Sequence, residues 1–153
     1  MQSFPPTVIL RHKKENLKKC SLRGLENRED FLFYTYPDGD FPMLSNYILL
    51  DLDGEPLSPA DNDKGLLILD ATWRYAEKMC KFVASKQTWV KRSIPAHWRT
   101  AYPRRQSDCP NPDQGLASIE AIFVAYKVLG RDTAGLLDNY YWKEQFLEKN
   151  EGT

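Results

Sequence analysis

An aspartate and a threonine follow the most apolar segment of the chain. Residues 65–69 are short and continuously apolar, which is typical of a strand buried on both faces of a parallel sheet. Asp70 and Thr72 come next, and Trp73 begins a stretch with helical periodicity. Because parallel sheets bind ligands at the carboxyl ends of their strands, we expect Asp70 and Thr72 at a site. The Asp70 carboxylate can attract a cation, accept a proton or simply cap the helix, and the sequence leaves these roles open.

The basic residues are concentrated in two segments. The 153-residue chain has 21 basic and 21 acidic residues, a balance that alone argues against nucleic acid as the partner. However, residues 11–25 hold six cations against one acid, and residues 91–105 hold five cations and no acid. Between them, residues 26–63 carry a charge of −9. The two basic segments are therefore candidate phosphate-binding regions, with a solvated charged face as the alternative.

Aromatic residues accompany the second basic segment. Unpaired bases stack on planar side chains beside guanidinium groups, and Trp89, Trp98 and Tyr102 are candidates for this role. Packing in the protein core is the alternative for each of them. The cations that we predict to contact RNA are Lys13, Lys14, Lys18, Arg23, Arg92, Arg99, Arg104 and Arg105.

The remaining pattern predicts an α/β protein. Strands are expected at residues 7–10, 31–36, 46–51 and 65–69, and a helix from Trp73 to about Ser85. A second helix is predicted over residues 116–129 with Gly130 as its stop, and a further helix or pair of helices over residues 131–150. Residues 107–115 are predicted to form a loop. The first half is thus mixed and the second half helical.

Cysteine usage and hydropathy narrow the class of protein. Cys20, Cys80 and Cys109 are odd in number and far apart, which favours reduced thiols. With only His12 and His97 beside them, no spacing resembles a zinc site, and we predict no metal. No window approaches the roughly 18 apolar residues of a membrane span, and no leader segment is recognised. The sequence therefore predicts a cytoplasmic protein without a membrane contact.

Several passages occur in an order that resembles the RNA aminocarboxypropyltransferases. This superfamily joins the DTW-domain tRNA enzymes to the small-subunit ribosomal RNA enzymes of ribosome biogenesis. The passages are LILDATW at 67–73, SIP at 93–95, TAYP at 100–103 and LASIEA at 116–121. The Asp-x-Thr-Trp wording is closer to the DTW group. The ribosomal group is favoured by NLKKCS at 16–21, LSPAD at 57–61 and the ending from Leu136 to Asn150.

The resemblance implies a fold, a donor and an acceptor. The fold would be a knotted methyltransferase-like (SPOUT-like) sheet domain over residues 1–95, followed by a mainly helical part over residues 96–153 that completes the donor pocket. S-adenosyl-L-methionine would donate its 3-amino-3-carboxypropyl group to a uridine or pseudouridine base and leave as methylthioadenosine. The partner would be RNA, with ribosomal RNA or a pre-ribosomal particle favoured. An RNA methyltransferase of the knotted class and a non-catalytic ribosome-assembly module are the alternatives, and the oligomeric state is left open.

The same resemblance assigns candidate site residues. Asp70 would be the catalytic residue, and Trp73 would form a flat wall along the methylene chain of the donor unless it only packs the helix. Lys19, Cys20 and Ser21 would bind the carboxylate of the donor. The donor pocket would be completed by Leu57, Ser58, Leu69, Thr72, Ile94, Pro95, Ala101, Tyr102, Leu116 and Ser118. Glu120 is not assigned to the pocket, and its position near the start of a predicted helix suggests that it caps or braces that helix. Residues 104–115 depart from the expected Gly-containing stretch, which leaves the RNA target open.

Overall fold

The computed structural model describes residues 4–13, 22, 24–37, 41–71, 73–95, 97–101 and 117–151, with the backbone alone at 52, 53, 73 and 74. Within these residues, five strands form one parallel sheet in the order β2-β1-β4-β3-β5. The strands are β1 Thr7–His12, β2 Phe31–Tyr36, β3 Tyr47–Pro56, β4 Gly65–Asp70 and β5 Val90–Ser93. The predicted α/β class is confirmed, and β1 and β4 lie side by side at the centre of the sheet.

Helices cover both faces of the sheet. Successive side chains of a strand point to opposite faces, so each face presents apolar residues that the helices bury. On one face, Val8, Leu10 and Leu67 contact helix α1, Trp73–Lys86, through Met79 and Val83. On the other face, a second cluster joins the sheet to helices α2, Ser118–Leu129, and α3, Lys143–Lys149. Its members include Ile9, Leu66, Ile68, Ile119, Ile122 and Phe146. Burial on both faces explains why residues 65–69 are continuously apolar.

Strand β5 was not predicted from the sequence. Its residues Lys91 and Arg92 are charged, and the strand lies at the edge of the sheet, where apolar residues are not required. Strand β3 also continues past the predicted end at Asp51, and its pairing with β5 shifts register between Leu50 and Glu55. In this irregular region a Cβ atom on Gly54 would lie 2.5 Å from the carbonyl carbon of Lys91. The close approach of the two backbones therefore requires glycine there.

The helical half agrees with the sequence prediction only in part. Helix α2 ends as predicted at Gly130, whose φ of 74° is the left-handed conformation that glycine adopts readily. The prediction of a helix or pair over 131–150 was wrong in extent, because the regular helix α3 spans only Lys143–Lys149. Turns occupy residues 134–139, where Gly135 has a φ of 82°. The knotted path of the chain and the division at residues 95 and 96 stay predictions.

Neither a membrane-spanning helix nor a metal-binding cluster of side chains is found among the described residues. None of their helices has the length and apolar character needed to cross a bilayer. No three of their histidine, cysteine, aspartate or glutamate side chains are grouped as a metal site would need.

Candidate active site

The site begins with Asp70, the last residue of β4. The residue is buried, and its carboxylate accepts hydrogen bonds on both oxygens. Arg11 Nε donates to Oδ2 at 3.2 Å, and Ser118 Oγ donates to Oδ1 at 3.1 Å. Arg11 is the penultimate residue of β1 and lies in register with Asp70, and Ser118 is the first residue of α2. The structure thus brings together Asp70 and Ser118, two residues that the sequence placed in the site, at the carboxyl edge of the sheet.

Arg11 belongs to the candidate site through its contact with Asp70, although its sequence position indicates only membership of the first basic segment. The side chain is buried, and its Nη1 atom pairs with Glu26 Oε2 at 3.3 Å. The guanidinium carbon lies 4.7 Å from the centre of the Phe33 ring. A cation directly after the apolar residues of β1 was the available signal, since a buried charge needs a partner. Arg11 is therefore part of the internal ion-pair cluster.

Glu26 adds a second carboxylate to this cluster. The N–H of Gly24 donates to Glu26 Oε1 at 2.8 Å. Burial alone would raise the pKa of Glu26, but hydrogen bonds from its own backbone and from Gly24, together with Arg11, hold that pKa below its ordinary value. The cluster of Asp70, Glu26 and Arg11 thus contains two acidic side chains and one basic side chain. This formal excess of one acid, counted over these three residues, suits a cationic ligand group.

Glu120, in the first turn of α2, is fully buried and accepts four hydrogen bonds from residues that the structure describes. Oε1 accepts from the Ala117 N–H at 2.8 Å and from Thr100 Oγ1 at 2.6 Å. Oε2 accepts from the Ala101 N–H and from Tyr140 Oη, both at 2.8 Å. The bond from Ala117 is the helix brace that the sequence suggested. The other three bonds come from distant parts of the chain and were not foreseen.

Other predicted donor-site residues lie at the carboxyl ends of β3 and β5. The Leu57 N–H donates to the Ser93 carbonyl at 2.8 Å, which joins Leu57 and Ser58 to the segment that continues into Ile94 and Pro95. Ser58 caps a short 3-10 helix, Pro59–Asp61, and Ile94 packs against the core on the α2 side. Leu69 lies in β4 against the core on the α1 side.

Several predicted site residues lie outside the described part of the chain and stay predictions. They are Lys14, Lys18, Lys19, Cys20, Ser21, Arg23, Thr72, Tyr102, Arg104, Arg105 and Leu116, together with the side chain of Trp73. Residues beside them are described. Leu22, which follows Ser21, is fully buried in the core on the α2 side, and Ala101 precedes Tyr102.

The described residues of the proposed RNA surface differ in their surroundings. Lys13 and Arg99 are exposed, whereas Arg92 Nε pairs with the buried Asp61 at 3.3 Å. Trp98 is buried and stacks on Phe146 with ring centres 6.1 Å apart.

Trp89 donates its indole N–H to the Val83 carbonyl at 2.8 Å and packs against the core on the α1 side. Core packing, the alternative in the sequence analysis, therefore accounts for both Trp89 and Trp98.

Comparison with known proteins identifies a structural likeness. No family model and no curated protein sequence matches the chain. Among solved structures, the chain is similar to the SAM-dependent rRNA:acp-transferase Tsr3 from Vulcanisaeta distributa, with a TM-score of 0.69 and 22% sequence identity. The match covers 95% of this chain and 78% of that chain. At this identity the likeness establishes a shared fold.

Proposed function

We propose that this chain transfers the 3-amino-3-carboxypropyl group of S-adenosyl-L-methionine to a uridine or pseudouridine base of ribosomal RNA. The observation that carries the proposal is the likeness, at a TM-score of 0.69, to a SAM-dependent rRNA:acp-transferase. It is supported by the contact between Asp70 and Ser118, because the resemblance in sequence assigns both residues to the site.

The proposed reaction is a displacement at the methylene carbon next to the donor sulfur. A ring nitrogen of the base forms the new N–C bond, and the C–S bond breaks with its electron pair remaining on sulfur. The ring proton leaves to solvent or to a carboxylate, and methylthioadenosine is the neutral product. Because the sulfonium is already a good leaving group, the main contribution of the protein is to align the reacting atoms.

The charge of the site fits such a donor. A sulfonium and an ammonium group are both positive, and the three residues Asp70, Glu26 and Arg11 contain one more acidic than basic side chain. Both oxygens of Asp70 already accept hydrogen bonds from protein side chains. These contacts favour an electrostatic role for Asp70 over the role of a proton acceptor.

The RNA would contact the basic residues that follow β1 and those that precede α2 in the sequence. Lys13 and Arg99 are exposed, and Lys14, Lys18, Arg23, Arg104 and Arg105 are proposed to complete the phosphate contacts. The acceptor would be ribosomal RNA or a pre-ribosomal particle in the cytoplasm.

Donors labelled at different positions test the reaction. The protein is incubated with cellular RNA and S-adenosyl-L-methionine that carries the label in either the carboxyl or the methyl group. Label from the carboxyl position should enter RNA, and Asp70→Ala should reduce its incorporation. Transfer of the methyl label alone would instead identify an RNA methyltransferase.

Calorimetry distinguishes the proposed enzyme from the third possibility, a non-catalytic RNA-binding module, because it measures donor binding and RNA binding separately. We expect the protein to bind both S-adenosyl-L-methionine and RNA. Intact RNA binding without detectable donor binding would overturn the proposed activity.

A further inference from the structure

The backbone of residues 99–101 is held by side chains from other parts of the molecule. Asn150 Oδ1 accepts from the Arg99 N–H and Asn150 Nδ2 donates to the Arg99 carbonyl, both at 2.8 Å. Lys149 Nζ donates to the Thr100 carbonyl at 3.1 Å. Glu120 then accepts from the Ala101 N–H. Side chains at α2 and at the end of α3 thus satisfy backbone groups that a neighbouring strand would otherwise satisfy.

Glu120 joins this segment to the start of α2. The same oxygen, Oε1, accepts from Thr100 Oγ1 and from the Ala117 N–H. Ala117 immediately precedes Ser118, which contacts Asp70. A displacement of the Glu120 carboxylate would therefore move residues on both sides of the proposed donor pocket together.

Tyr140 connects the carboxyl-terminal region to the same carboxylate. Its hydroxyl donates to Glu120 Oε2, the atom that also accepts from Ala101. Within the described residues no cation forms an ion pair with Glu120, so the four donors must compensate its buried charge. A helix brace alone would need only the bond from Ala117.

We propose that Glu120 is a positioning residue that couples the two walls of the donor pocket, residues 99–101 and the start of α2, to the carboxyl-terminal region through Tyr140. The inference rests on the proposed function for the identity of the ligand. Its structural content, the coupling of the two walls, is independent of that ligand. Glu120 acts through Ala101 and Ala117 and does not itself contact the reacting atoms.

Thr100 offers the sharpest test because an isosteric variant removes only its hydroxyl. In Thr100→Val, Glu120 loses one of its four donors, whereas Thr100→Ser retains a hydroxyl. We expect Thr100→Val to raise the Kd for S-adenosyl-L-methionine by roughly 3-fold to 10-fold and to lower kcat at saturating donor by a smaller factor. Thr100→Ser should restore the wild-type Kd. An equal loss in both variants would contradict the role of the hydroxyl.

Tyr140 and its neighbour provide a second matched pair. Tyr140→Phe removes the bond to Glu120 Oε2 and should weaken donor binding as Thr100→Val does. Tyr141→Phe is the control, since Tyr141 is 82% exposed. Equal donor affinities in the two phenylalanine variants would argue against coupling through Tyr140.

Amide hydrogen exchange tests the coupling without any donor. Thr100→Val and Tyr140→Phe should accelerate exchange at both Ala101 and Ala117, while the amides of β4 remain as slow as in the wild type. If both amides accelerate but the wild-type protein binds no donor, the coupling stands and the proposed function fails. If Ala101 and Ala117 keep their wild-type exchange rates in both variants, the coupling is wrong and Glu120 only caps α2.

Discussion

Arg11 and Asp70 form a buried ion pair across two neighbouring parallel strands, with 3.2 Å between Arg11 Nε and Asp70 Oδ2. The two side chains are 10% and 9% exposed. Charges at this depth are weakly screened by solvent, so each side chain determines the electrostatic environment of the other. Arg11, one of the cations in the basic amino-terminal segment, therefore forms an ion pair inside the protein. The phosphate contacts proposed for that segment would be made by its other cations.

The first prediction concerns the stability of this pair. Arg11→Met should lower the free energy of unfolding by about 3 kcal/mol, because the Asp70 carboxylate would remain buried without its cation. The double variant Arg11→Met with Asp70→Leu should lose less than the sum of the two single losses. Urea unfolding of the wild type, both single variants and the double variant measures this coupling. Additive losses would mean that the two charges do not interact.

The second prediction separates the roles of Asp70 and Trp73. Asp70→Ala should lower kcat about 100-fold and change the donor Kd by less than about threefold, since the proposed role of the carboxylate is to act on charge at the reacting centre. Trp73→Ala should instead raise the donor Kd about tenfold, since the side chain is proposed to form an apolar wall of the donor pocket. Calorimetry and single-turnover kinetics measure the two effects separately. Equal losses of binding and turnover in both variants would contradict this division.

Local sequence patterns predicted most of the sheet and two of its helices. The apolar residues of β1 and β4 and the periodicity of α1 and α2 are local signals, and Gly130 marks the end of α2. Strand β5 was missed because an edge strand can be charged, as Lys91 and Arg92 are. The sequence also did not indicate that α3 is short. Leu136 and Leu137 are buried in the core but lie in turns before α3, so their apolar character does not mark a helix.

Asp70 and Ser118 belong to two recognisable passages of the sequence, and the structure brings these two predicted site residues into contact. The partners of these residues were not predictable. Arg11 meets Asp70 across 59 positions, and Tyr140 meets Glu120 across 20. Such contacts depend on how the helices pack against the sheet, and single-sequence periodicity does not encode that packing. Trp98 illustrates the same limit, because its burial against Phe146 depends on the position of α3.

The third prediction concerns the stability at acid pH of an ion pair that lies just before the amino end of β2. Arg28 donates to both oxygens of Asp30, at 2.9 Å and 3.0 Å. Burial alone would raise the pKa of Asp30, but Arg28 lowers it below its ordinary value. The pair therefore contributes stability above the unfolded pKa of about 4, and this contribution disappears as the pH falls through the lower folded pKa.

Arg28→Met tests this pH dependence. It should reduce the free energy of unfolding by about 1 kcal/mol at pH 7 and by less at pH 3. Lys64→Met is the control, because its partner Asp63 lies 3.6 Å away and is largely exposed. Urea unfolding at the two pH values measures the difference. A loss at pH 3 as large as that at pH 7 would exclude an ionic contribution from Arg28.

The fourth prediction concerns the proposed RNA surface. Arg99 is exposed and, within the described residues, makes no ion pair, while its backbone is fastened by Asn150. Arg99→Glu should weaken RNA binding and flatten its salt dependence, because each lost phosphate contact reduces the slope of log K against log salt by about 0.7 to 0.9. Reversal of Arg104 and Arg105 together should flatten it further.

The control for Arg99→Glu is Lys81→Glu, an exposed position of α1 on the opposite face of the sheet from α2. Both substitutions change the net charge by the same amount, so a nonspecific effect of charge would alter the two salt slopes equally. Filter binding of ribosomal RNA measures the two salt slopes. The salt concentration is varied from about 50 to about 200 mM, a range in which such slopes are resolved. A slope that Arg99→Glu leaves unchanged would remove Arg99 from the phosphate path.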